Sequence, residues 1–368
     1  MSQLSSGMVG LVVGAVLGLV LTVLFEENLK NLRGAAVALV QKARARGILP
    51  TPVAEFRLGP LQTAVLIVEG DGQQVIDEQA VRVVVDPSEV SLPDDVALVR
   101  EEVSEQQDSR RRKGLQAHWN GPSYAVTGLS IDRSGIDESP GACLHLRSTD
   151  YFTFLATQQL DRELPDGHTL RTKYLDPYPP TRPPDFMSAS FGTYVAVITA
   201  DDMVVFAKRS TDVGAFPGRW DASTNEALSR SIDSHGRTPP NLYDVARRGL
   251  HEELGLGQSE YRLELLAFNI DRSTNQWGSM FAAFLQDLTS TDVADRRTRG
   301  VADKWEHDQI DFVRFTIDDV IGYLLRSDRR HCWTPVAPAL YYLTLARRYG
   351  RSKVERQAAR TIRTWTSH

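Results

Sequence analysis

From Met8 to Phe25 the chain is almost wholly aliphatic, and no ionisable side chain occurs between Met1 and Phe25. As a helix this run extends about 27 Å, at about 1.5 Å per residue, enough to cross the hydrocarbon of a bilayer. A core helix of that length would carry polar residues where it meets solvent, and Thr22 is the only such residue here. A cleaved signal peptide would need a basic start and a small-residue exit. The run is instead preceded by Ser5-Ser6-Gly7 and left through Leu24-Phe25-Glu26-Glu27. The expectation is an uncleaved transmembrane helix over 8–25, behind a short extracytoplasmic tail over 1–7. Lys30, Arg33, Lys42, Arg44 and Arg46 all follow the span, which places the rest of the chain in the cytoplasm.

Residues 26–49 repeat Leu29, Leu32, Ala36, Leu39 and Val40 at helical spacing and read as a juxtamembrane stalk. Gly10, Gly14 and Gly18, four apart, would let two spans pack closely as a homodimer. The net charge of -5 gives no reason to expect nucleic acid as a partner. Cys143 and Cys332 stand far apart, outside any metal-ligand spacing, and read as buried apolar residues in a reducing compartment.

Past Pro50 and Pro52 the pattern to residue 175 is β-rich. Ala64–Val68 and Val81–Val85 are β-branched runs divided by the turn signal Gly70-Asp71-Gly72, and further strands are expected at Tyr124–Leu129, Cys143–Arg147 and Tyr151–Leu155. Glu101–Lys113 is dense in charge and reads as a solvated loop or helix face, with anionic lipid as the alternative contact. The prolines of 176–190 make an extended connector. Over 191–350, strands at Tyr194–Thr199, Met203–Lys208, Tyr261–Ile270, Met280–Leu285 and Phe312–Phe315 mix with helices at Leu242–Leu254, Ile317–Leu325 and Val336–Arg348. That mixture indicates an α+β fold or an α/β/α sandwich. A basic tail covers 351–368.

The helix Leu242–Leu254 carries the chemistry. Leu242, Ala246, Leu250 and Leu254 form its apolar stripe, while Glu252 and Glu253 lie off that stripe with Arg248 one turn before Glu252. Gly255 suits the left-handed stop. Adjacent carboxylates aimed into one cleft repel each other, and a hard divalent cation relieves that repulsion through oxygen ligation. A surface helix with solvated Glu and Arg is the plainer alternative.

The segment Arg248-Gly249-Leu250-His251-Glu252-Glu253-Leu254-Gly255-Leu256 resembles the second half of the Nudix box, R-E-U-x-E-E-x-G-U with U aliphatic, broken only by Gly249 where that family has Glu. Gly218-Arg219-Trp220, Ser223 and Glu226 resemble the approach to the box. The resemblance covers about 191–348. More loosely, Trp119–Leu175 is similar to the extra β region of longer bacterial Nudix proteins. The first half of the box is absent, with Ser234 and Pro240 standing in place of its Gly and Glu.

The resemblance implies a Nudix-like sandwich and a pyrophosphohydrolase that uses Mg2+ or Mn2+ on a nucleoside diphosphate-type small molecule. It makes Glu252 and Glu253 metal ligands, Arg248 their orienting partner, Glu226 a further ligand and Glu306 the general base; the missing Glu at 249 removes one carboxylate. The alternatives are a non-catalytic nucleotide-binding sensor on the same fold, or a membrane scaffold that needs no metal. Gly255-Leu256-Gly257 ends a helix and so is no dinucleotide fingerprint, and neither Ser223 nor the histidines form a nucleophile-base pair by sequence order. Trp220, Trp277, Trp305 and Trp333 read as core or hairpin packing, any one of which could stack on a nucleobase. The full-length chain is expected to stay with the membrane pellet after carbonate extraction; recovery in the soluble fraction would refute the anchor.

Overall fold

Three sheets and a set of helices follow from this pattern among the described residues. The computed structural model describes residues 55–134, 138–234 and 239–366. The anchor and stalk expected over 8–49 lie outside the described residues. Among the described residues no helix is long and apolar enough to cross a membrane.

In chain order the elements begin with β1 (Arg57–Leu58), β2 (Leu61–Gln62), β3 (Val65–Glu69), β4 (Val81–Glu89), α1 (Asp94–Arg112), β5 (Pro122–Ser134) and β6 (Ser139–Asp150). Next come α2 (Tyr151–Thr157), α3 (Leu170–Tyr174), β7 (Phe191–Ile198), β8 (Met203–Arg209), β9 (Trp220–Asp221), β10 (Thr224–Ala227) and α4 (Leu242–Leu254). The last are β11 (Tyr261–Asp271), β12 (Gln276–Leu285), α5 (Ser290–Arg299), β13 (His307–Arg314), α6 (Ile317–Leu325), α7 (Ala337–Tyr349) and α8 (Arg351–Thr366).

The large sheet has the order β13-β8-β7-β12-β11-β3, with β9 on β8 and β10 on β7. Strand β7 is buried along its whole length, as a continuous apolar strand must be when both faces are covered. Tyr194, Ala196 and Ile198 face a core shared with α6, α7 and α8. Phe191, Val195 and Val197 face the core that holds Leu242, Val245 and Leu250 of α4 together with Leu144 and Leu146 of the smaller sheet, β4-β6-β5. Helices thus cover both sides of the large sheet. A third cluster joins Val96, Val99 and Val103 of α1 to Phe152 and Ala156 of α2.

Strands β7 and β8 form a hairpin through Ala200-Asp201-Asp202, but they pair only at Ile198 and Val204 and then separate. Ser223 fills the gap. Its amide donates to Val195 O at 2.9 Å, its hydroxyl donates to Val205 O at 2.5 Å, and it accepts from the Val197 amide at 2.8 Å.

Several expectations are corrected. Residues 151–157 are helical, because the Asp150 side chain accepts from the Thr153 amide at 2.8 Å and caps a turn whose aromatics suggested a strand. The charged stretch, read as a solvated loop or helix face, is indeed the solvated face of α1, which ends at Arg112 and buries Val96, Val99 and Val103 on its other side. The two runs divided at Gly70-Asp71-Gly72 go to different sheets: β3 joins β11 in the large sheet while β4 pairs with β6 in the smaller one. The large sheet therefore crosses the expected boundary between 50–175 and 191–350. The tail is a helix over 351–366 that buries Val354 and Ala358. Cys143 is buried as expected, but Cys332 is exposed.

At the β11–β12 turn, Asp271 is 1% exposed and accepts from the Ser273 amide at 2.9 Å and its hydroxyl at 2.6 Å. Burial pushes its carboxyl from the usual 3.8 up to about 6, against those hydrogen bonds. Between these pH values the folded chain binds more protons than the unfolded one. The stability contributed by the neutral carboxyl is therefore present below about pH 4 and is lost as pH rises through about 6, on the order of 3 kcal/mol in all. Asp271→Asn is expected to flatten that part of the stability profile in denaturant titrations at pH 4 to 7; an unchanged slope would show that Asp271 does not set it.

Candidate functional site

Helix α4 is bounded by the residues that should bound it. Asn241 Oδ1 accepts from the Tyr243 amide at 2.8 Å, and Gly255 closes the helix at φ 68°. Between these caps the apolar stripe is fully buried, and the turn from Arg248 to Glu253 lies against β10 and the loop before β13.

Arg248 organises the site. Its guanidinium donates to Glu226 at 2.7 Å, to Glu252 at 3.3 Å, to both oxygens of Asp233 at 3.0 and 3.2 Å, and to Ala227 O at 3.1 Å. One planar fork thereby ties the helix to strand β10 and to the loop after it that bears Asp233. The side chain is 15% exposed, so these pairs are poorly screened.

Glu226, Glu252 and Asp303 each place a carboxylate oxygen within 4.8 Å of the others. Asp303 is brought there by its amide, which donates to Glu252 O at 2.9 Å, and its Oδ1 accepts from the exposed Trp305 indole at 3.1 Å. Glu306 is half-buried on the same loop, and burial raises its carboxyl, with Asp303 and Glu252 adding to the effect. Burial also pushes Glu226 up to about 8, against the attraction of Arg248.

Glu253 differs from its neighbour. It is wholly buried, one oxygen accepts from the Asn225 amide at 3.0 Å, and the other stands 3.3 Å from His307 Nδ1 without making a hydrogen bond. Burial drives the pair toward neutrality, raising the Glu253 carboxyl well above the carboxylate range and pushing His307 down to about 3. Thr224 Oγ1, also buried, has no partner.

The structure thus brings Arg248, Glu226 and Glu252 into direct contact and sets Glu306 beside them. Glu253 lies outside the three-carboxylate group, so the expectation of adjacent Glu252 and Glu253 in one cleft is corrected. Position 253 follows Gly249 by one turn, and the bare glycine lets β10 close over that face of the helix. The residues that sequence reasoning missed are Asp303, Asp233 and Asn225. Asp303 and Asp233 lie in loops with no fixed spacing to the helix, and Asn225 acts through its backbone. Trp220, Trp277 and Trp333 are buried as expected, whereas Trp305 is exposed at the site.

Three carboxylate oxygens at this spacing, with the buried and unpartnered Thr224 hydroxyl on the strand that bears Glu226, suit a hard divalent cation such as Mg2+ or Mn2+. No family model matches the chain, and no curated protein does. Among solved structures, part of the chain is similar to a MutT Nudix hydrolase from Burkholderia pseudomallei, at 15% identity and a TM-score of 0.26 over 41% of this chain and 95% of that one. It is likewise similar to a MutT protein from Methanosarcina mazei Go1, at 12% identity and a TM-score of 0.26 over 45% and 94%.

Replacing Arg248 would leave Glu226, Asp233 and Glu252 to repel one another. Arg248→Ala is expected to cost about 3 kcal/mol in denaturant unfolding, with Arg248→Lys intermediate because an ammonium keeps the charge but not the fork. Equal losses for the two variants would show that the fork geometry is unimportant.

Proposed function

We propose that this chain is a Nudix-like hydrolase that cleaves a diphosphate linkage in a nucleotide-type compound with the help of Mg2+ or Mn2+. The observation that carries the reading is the meeting of Glu226, Glu252 and Asp303 around the Arg248 end of the box-like helix. Glu226, Glu252 and Asp303 would hold the cation, which when bound would neutralise diphosphate oxygens and favour attack by water. Arg248 keeps Glu226 and Glu252 in place, and its pairing with Asp233 fixes its own orientation. Glu306, half-buried on the same loop, would accept a proton from the attacking water, and the exposed Trp305 would offer an indole face to a base beside Asp303. The charge-free run at 8–25 and the basic residues after it support a membrane-held enzyme whose body faces the cytoplasm.

The purified full-length chain, incubated with nucleoside diphosphate compounds and Mg2+ or Mn2+, is expected to release cleaved nucleotide. Glu252→Gln should lower that rate by about a hundredfold or more. Cation-dependent binding of the compounds without turnover would overturn the hydrolase and favour a nucleotide sensor.

A further inference from the structure

Gly249 lies on the turn of α4 that faces β10. A Cβ built on it would stand 2.6 Å from Glu226 Cγ, with Glu253 Oε1 and Thr224 Oγ1 each at 3.5 Å. The point a side chain at 249 would occupy is therefore already filled, and by a carboxylate-bearing chain from the neighbouring strand. Glu226 cannot easily move aside. Its carboxylate is held by Arg248 at 2.7 Å, and the preceding residue is fixed by the bond from the Asn225 amide to Glu253 at 3.0 Å. The atom that would clash is Cγ, in the stem of the side chain, so no simple rotation of the carboxylate relieves it.

We propose that Gly249 and Glu226 form one exchangeable unit. Glycine at 249 is the seat that allows strand β10 to deliver, through Glu226, the carboxylate that a side chain on the helix would otherwise deliver to the cation site. A carboxylate reaches this point from 226 or from 249, but not from both. The buried Thr224 hydroxyl abuts the shared point at 3.5 Å and has no hydrogen-bond partner, so the pocket contains a polar atom left for a ligand to satisfy. Glu253 Oε1, also at 3.5 Å, already accepts from the Asn225 amide. The apparent loss in the box-like helix is thus a relocation of the carboxylate, and Gly249 is a positioning residue that acts through Glu226. This inference rests on the cation site of the preceding reading.

A double-mutant cycle on the full-length chain tests it, with Mn2+ affinity read by titration calorimetry or electron paramagnetic resonance and melting temperature as an independent readout. Gly249→Glu is expected to weaken Mn2+ binding roughly ten- to hundredfold and to lower the melting temperature. Glu226→Ala should weaken binding comparably, without the steric loss. Combining Gly249→Glu with Glu226→Ala should recover Mn2+ affinity to within a few-fold of the natural chain and restore much of the melting temperature. Gly249→Ala, a milder probe should the larger side chain prevent folding, should also weaken Mn2+ binding by displacing Glu226, and Glu226→Ala should relieve its loss of melting temperature.

Additive effects on both readouts, or a Gly249→Glu chain that binds and melts like the natural one, would overturn the exchange. A natural chain that binds no Mn2+ would overturn the cation site itself. Melting temperatures alone would still judge the steric seat, so the two failures are distinguishable.

Discussion

The site depends on one guanidinium that must satisfy more negative charge than it carries. Arg248 meets Glu226, Glu252 and Asp233 at hydrogen-bond distance, and Asp303 and Glu306 complete an acidic rim. In water such a group would disperse. Here the carboxylates are fixed by the elements that bear them: the helix gives Glu252, the short strand β10 gives Glu226, the loop between β10 and α4 gives Asp233 and the loop before β13 gives Asp303. Burial answers part of the excess by favouring neutral forms at Glu226 and Glu253. A divalent cation would answer it by ligation instead, displacing the proton of Glu226. The fold pays for a charge imbalance at this one point, and its sheet and caps are arranged to keep it there.

Why these elements meet is a question of the splayed hairpin. Strands β7 and β8 part after a single pair, and the segment from Trp220 to Ala227 enters the gap, pairing first with β8 and then with β7. Ser223 stitches the crossing with three hydrogen bonds, so the residue that showed no catalytic partner in the sequence serves the backbone. Because β10 leaves this wedge beside α4, Glu226 arrives opposite Gly249. Helix, wedge and loop are then locked by backbone contacts, among them Asp303 N to Glu252 O and Asn225 N to Glu253.

Much of this was legible in the sequence wherever local signals agreed. The four-residue stripe and Gly255 marked α4 and its stop, and Arg248 and Glu252, one turn apart, do pair. The apolar runs of β7 and β8 marked both as strands. What local pattern could not show was which distant loops reach the helix, so Asp233 and Asp303 went unseen. Propensity also misled where one side chain outvoted it: Asp150 turned an aromatic run into a helix. The burial of Glu253 was hidden for a different reason. Helical angle places it beside the apolar stripe, yet only the approach of β10, permitted by a missing side chain, takes it out of solvent.

That last point bears on how a broken motif is to be weighed. A motif records residue types along a chain, while a cation or a diphosphate responds to the positions of oxygen atoms. The helix lacks a carboxylate at 249, and counted along the chain this is a defect. Counted in space, Glu226 Cγ lies 2.6 Å from where the missing side chain would begin, and its carboxylate is grouped with Glu252 and Asp303. The same glycine explains both departures, because the space it opens admits the strand that carries Glu226 and buries Glu253. A chain judged by its helix alone would look like a weakened site. Judged by where its oxygens stand, it is a site assembled from different segments.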